Sequence, residues 1–107
     1  MEKAIWVSYD LGVRGDYESL YQWLDQHGAV ECGDSIAFIR YEYRESNVGL
    51  IEKLKSEMSE SVKLKKFDRV YIVWKDGDKI QGKFIFGNRK AAPWAGFAGK
   101  PSDSDEE

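Results

Sequence analysis

Cysteine and histidine are nearly absent from this chain: its 107 residues hold one of each, Cys32 and His27. A single cysteine excludes an internal disulfide framework. A single histidine excludes a centre that draws several ligands from imidazoles. Long apolar runs are lacking as well. The longest, such as Val70-Tyr71-Ile72-Val73-Trp74, fall far short of a bilayer's thickness, so no membrane span is expected. The opening Met1-Glu2-Lys3-Ala4-Ile5 has neither the basic start nor the apolar stretch of a signal peptide. No segment repeats. These deficits lead to the expectation of a small cytoplasmic domain.

What is abundant is aromatic and charged. Hydrophobic residues make up 42% of the chain and aromatics 14%, enough for one compact core. The net charge of -3 is unevenly spread. Residues 1–62 hold 6 Lys/Arg and 12 Asp/Glu, residues 63–100 hold 10 and 3, and residues 101–107 add 4 further acids. The basic block reads either as solvated surface or as a face for a polyanion, with the acidic tail as its shield. One domain over residues 1–98 is expected, with a disordered acidic tail over 99–107, where no apolar residue follows Ala98.

Periodicity predicts the elements. Residues 3–9 alternate as a strand with Ile5, Val7 and Tyr9 on one face and Trp6 on the other. Asp16 is placed to cap a helix whose stripe is Tyr17, Leu20, Tyr21 and Leu24, ending at His27-Gly28. Ala29–Cys32 and Ser35–Tyr43 read as strands around a Gly33-Asp34 turn. A second helix, capped by Ser46 or Asn47, runs to Ser61 and buries Ile51, Leu54 and Met58, with Leu50 at its flank. Residues 69–75 and 79–86 form a hairpin across Asp76-Gly77-Asp78. The order predicts an α+β fold, ferredoxin-like βαββαβ with an extra C-terminal strand, its two helices on one face of an antiparallel sheet.

Several residue groups suggest chemistry. Asp10, at the end of an apolar strand, either holds Mg²⁺ with retained waters or accepts N–H groups of the following turn. Two copies facing across a two-fold axis would share one ion. Gly12-Val13-Arg14-Gly15 precedes a helix, but it matches neither phosphate-binding fingerprint, and Asp16 would repel the phosphate. His27 and Cys32, with Ser8 or Ser35, suggest a hydrolytic set. The helix terminus explains His27, and burial on a strand would explain Cys32. Asp76-Gly77-Asp78 begins no calcium loop, because its twelfth position is Gly87. Phe67, Tyr71, Trp74, Phe84, Phe86 and Trp94 interleave with Lys65, Lys66, Arg69, Lys75, Lys79, Lys83, Arg89 and Lys90. That mixture suits single-stranded nucleic acid, or else a sheet with an aromatic inner and a basic outer face. The last strand leaves an edge, with Trp94 and Phe97 following it, so a partner subunit is expected there.

The strand ending Tyr9-Asp10-Leu11, the helix ending at Gly28, then Val30-Glu31 and Ser35-Ile36-Ala37-Phe38, resemble the small CRISPR-associated adaptation subunit, here called Cas-two, and the VapD-type toxins. The resemblance spans residues 3–86. It implies a ferredoxin-like homodimer whose C-terminal strand often completes the partner's sheet; the candidate interface read from the last strand and the segment after it is Phe84, Phe86, Trp94 and Phe97. It implies RNA or DNA as partner, for which Lys65, Lys66, Arg69, Arg89 and Lys90 of the interleaved segment are the candidate contacts read from the residues. It also implies Mg²⁺-dependent phosphodiester hydrolysis with Asp10 as metal ligand and catalytic residue. The alternative is a non-catalytic dimeric module binding a protein or a nucleic acid. The chain differs from the family in an acidic first helix, in Gly33-Asp34 and in Glu31, where the family carries Gln.

Overall fold

Strand β1 (Glu2–Asp10) runs through the middle of a five-stranded antiparallel sheet whose order is β2-β3-β1-β4-β5. The remaining elements are α1 (Tyr17–Gln26), β2 (Val30–Gly33), β3 (Ile36–Glu42), α2 (Leu50–Ser61), β4 (Arg69–Asp76) and β5 (Lys79–Phe86). The computed structural model describes residues 2–44 and 49–99. The expected Ser46 or Asn47 cap and most of the acidic tail lie outside the described residues. Within them α2 starts at Gly49 without a side-chain cap.

Strand alternation separates the faces. Ile5 pairs with Ile39 and Trp74, and Val7 with Ala37 and Ile72. Ile5, Val7, Ala37, Ile39 and Ile72 are buried and meet Leu20, Trp23 and Leu24 of α1 and Leu50, Leu54 and Met58 of α2 in one core. Trp6, Ser8, Phe38, Tyr71 and Val73 occupy the other face and are half-buried. There Trp6 tilts against Phe38 with ring centroids 5.1 Å apart. The α2 stripe is Leu50, Leu54 and Met58, spaced by four, and Ile51 packs only partly against the core.

Asp16 caps α1 as expected. Its Oδ1 accepts the Ser19 N–H at 3.3 Å, while Oδ2 accepts the Lys63 N–H at 3.0 Å. One carboxylate thus ties the start of α1 to the loop that leaves α2, and these N–H groups hold it below the usual carboxylate range. Cys32 is exposed, which corrects the expectation of burial: all four residues of β2 lie open at the sheet edge. β5 pairs with β4 of its own chain, and a bulge interrupts the register between Val70 and Tyr71. The extra residue turns both Ile85 and Phe86 toward the core, Ile85 buried and Phe86 partly so.

Candidate functional site

The sheet brings the end of β1, the start of β4 and the end of β5 to one corner. Asp10 stands opposite Arg69 in the β1–β4 register, and Arg69 Nη2 donates to Asp10 Oδ2 at 2.6 Å. The Arg69 guanidinium, the Gly12 N–H and the charge of Arg89 hold the Asp10 carboxyl below its ordinary value. Its side chain keeps 57% of its surface exposed. Both sequence readings of Asp10 bear on this geometry. The turn N–H reaches it, and a cation also faces it, but that cation is a guanidinium of its own chain.

Three adjoining concavities run from this pair toward the end of α2. One of about 230 Å³ is lined by Ser8, Tyr9, Asp10, Arg69, Tyr71, Phe84 and Arg89. A second of about 430 Å³ is lined by Lys66, Phe67, Arg69, Gly87 and Asn88. The third, about 710 Å³, takes in Lys63, Lys65, Lys66, Asp68 and Gly87. Arg69 joins the first two, and Lys66 and Gly87 join the last two. Five basic residues, Lys63, Lys65, Lys66, Arg69 and Arg89, therefore line the channel that these adjoining concavities make up, which Asp10, Glu60 and Asp68 also border.

The aromatic content of the channel follows from local structure. Tyr71 meets Phe84 edge-on at 4.8 Å between centroids. The Tyr71 ring lies across β5 because the residue beneath it is Gly82: a Cβ there would sit 2.4 Å from the Tyr71 hydroxyl. Phe67 is 83% exposed, and the Lys66 ammonium stands 5.5 Å from its ring centre. The loop that presents both is fixed from inside. Asp68 is buried, its Oδ2 accepts the Lys65 N–H at 2.8 Å, and its own N–H donates to the Lys65 carbonyl at 3.0 Å.

Lys65 lines the third concavity, but its ammonium donates to the Arg14 carbonyl at 2.6 Å. Lys90 is exposed and borders none of the three concavities. Trp94 and Phe97 are 74% and 86% exposed, in consecutive turns closed by Ala95 N–H to Ala92 and Phe97 N–H to Trp94. Among the described residues no three or more His, Cys, Asp or Glu side chains gather as a metal-holding group, and no helix is long and apolar enough to cross a membrane.

Sequence reasoning missed Lys63, Asp68 and a second polar centre. Glu57 of α2 accepts from Trp23 Nε1 at 3.0 Å and from the Tyr41 hydroxyl at 3.1 Å, and pairs with His27 Nε2 at 2.9 Å. Burial and the neighbouring carboxylate push the Tyr41 phenol above its ordinary value. His27 is therefore held by a specific partner rather than by the helix terminus alone. Asp68, directly before a strand, carried a weak turn signal; nothing local marks Glu57. Comparison with protein-family models, curated proteins and solved structures gives no match for this chain.

Proposed function

We propose that this protein is a nucleic-acid-associated, ferredoxin-like homodimer of the Cas-two/VapD type, acting through the channel from Lys63 to Arg89. The observation that carries the reading is the run of adjoining concavities: cations spaced along it for phosphates, with Phe67 exposed to unstacked bases and the half-buried Tyr71–Phe84 pair in its wall. The ferredoxin-like assignment rests on the element order, the antiparallel sheet order and the single core shared by both helices. The dimer reading rests on β5, which is the outer strand of its sheet, and on the exposed Trp94 and Phe97 that follow it. Light scattering tests it: twice the chain mass of 12.3 kDa is expected, and a particle of one chain's mass refutes it.

The pairing of Asp10 with Arg69 favours binding over hydrolysis, because the carboxylate orients a phosphate-binding guanidinium instead of presenting itself to a metal. Fluorescence anisotropy of labelled single-stranded RNA and DNA is the direct test. Arg69→Gln and Lys66→Gln should each weaken binding, and Mg²⁺ should add no cleavage. Mg²⁺-dependent cleavage abolished by Asp10→Ala would instead establish hydrolysis, with Mg²⁺ between two copies of Asp10. Absence of binding to either strand would refute the nucleic-acid reading.

A further inference from the structure

At the opposite edge of the sheet, β2 stops short of β3. Val30, the first residue of β2, pairs with Phe38, yet β3 continues to Glu42. The preceding chain folds back toward α1: Gly28 N–H donates to Asp25 and Ala29 N–H to Leu24, each at 3.0 Å. This departure opens a notch of about 340 Å³ lined by His27, Gly28, Val30, Phe38 and Arg40. We infer that the notch is a binding site for a small organic carboxylate with an apolar body.

Its volume falls in the range of small-molecule sites, roughly 300–1,000 Å³. Val30 and Phe38 supply an apolar wall, and the space where a Gly28 Cβ would stand is open. Arg40 supplies the charge. It stands opposite Ala4, whose methyl does not cover it, and it has no hydrogen bond or ion pair among the described residues. An exposed guanidinium beside apolar walls matches the planar fork of a carboxylate.

His27 completes the site. The Glu57 carboxylate pairs with its Nε2 at 2.9 Å, and the ring tilts against Trp23 at 4.4 Å and against Tyr41 at 5.5 Å between centroids. Trp23 and Tyr41 anchor the same carboxylate, so three elements fix one imidazole. The contact with Glu57 is an ion pair only when the ring is protonated, and in that form the second N–H, on Nδ1, makes no hydrogen bond among the described residues and is left to donate to a ligand oxygen. A ring held this rigidly loses little freedom when a ligand arrives.

Titration of the full-length protein with benzoate, followed by amide and His27 ring resonances, tests the site, with sulfate as the bare anion. Saturable shifts confined to residues around His27, Gly28, Val30 and Phe38 are expected, with sulfate binding more weakly. Arg40→Gln should weaken benzoate at least about tenfold, the loss of one charge-assisted pair. His27→Phe, which keeps a stacking ring without nitrogens, should weaken it as well; the dispersion of each spectrum reports folding. No saturable benzoate shift, an unchanged affinity in Arg40→Gln, or equal binding of sulfate would overturn the assignment.

Discussion

Single carboxylates carry much of the organisation here, and each behaves differently under substitution. Glu57 accepts from Trp23 and Tyr41 and pairs with His27, drawing α1, α2 and β3 together. In Glu57→Gln one oxygen becomes an NH₂ donor, so at least one of those donors loses its acceptor. Trp23 is almost fully buried. The variant should therefore lose about 1–3 kcal/mol in chemical denaturation. Asp10 is a milder case, since its pair with Arg69 is exposed to solvent and screened. Asp10→Asn should cost about 1 kcal/mol or less at neutral pH. The sign of its pH dependence is fixed by the lowered pKa of Asp10. The carboxylate is favoured in the folded state, so its contribution is complete above the unfolded value near about pH 4. It disappears as pH falls through the folded value. Melting temperatures of wild type and Asp10→Asn should differ at pH 7 and converge in strong acid; a gap that persists there would mean the charge is not the cause.

At the scale of elements, the end of β5 depends on a glycine. Gly87 has φ +72°, and a Cβ there would lie 2.3 Å from the Asp68 carbonyl oxygen. Both the backbone region and the space exclude a side chain. Gly87→Ala should destabilise by more than about 1 kcal/mol, read from denaturant midpoints, and should loosen the loop that carries Lys66 and Phe67. Elements whose signals are local were legible from the residues. Asp16 capping Tyr17–Gln26 and the hairpin across Asp76–Asp78 each need only a few neighbouring side chains to specify them. The β5 bulge was not legible, because it is a mismatch of register between two strands. Asp10 was singled out by its position at a strand end, but Arg69 as its partner lies 59 residues away and is found only through the sheet. For the same reason the Glu57 centre, which joins residues 16 and 34 positions apart, left no periodic trace.

For the whole molecule, the segregation of charge makes salt the most telling variable. The 63–100 segment carries +7, and five of its cations line the adjoining concavities of the channel. A single strand bound there should displace counterions, so the logarithm of affinity should fall linearly with the logarithm of salt concentration. Each phosphate contact contributes about 0.7 to the slope for a single strand. Lys66→Gln, Arg69→Gln and Arg89→Gln should each flatten the line by about that amount, whereas Lys90→Gln, outside the channel, should change it less. Residues 101–107 carry -4 and repel the same phosphates, and they compete for the channel wherever they reach it. Deleting them should raise affinity most at low salt, where screening is weakest, and the gain should shrink as salt rises. Anisotropy titrations of the full chain and the deletion, run in parallel at several salt concentrations, read both effects at once. Affinity that is flat in salt would remove the channel from binding. Affinity that falls on deletion would make the tail a contact rather than a shield.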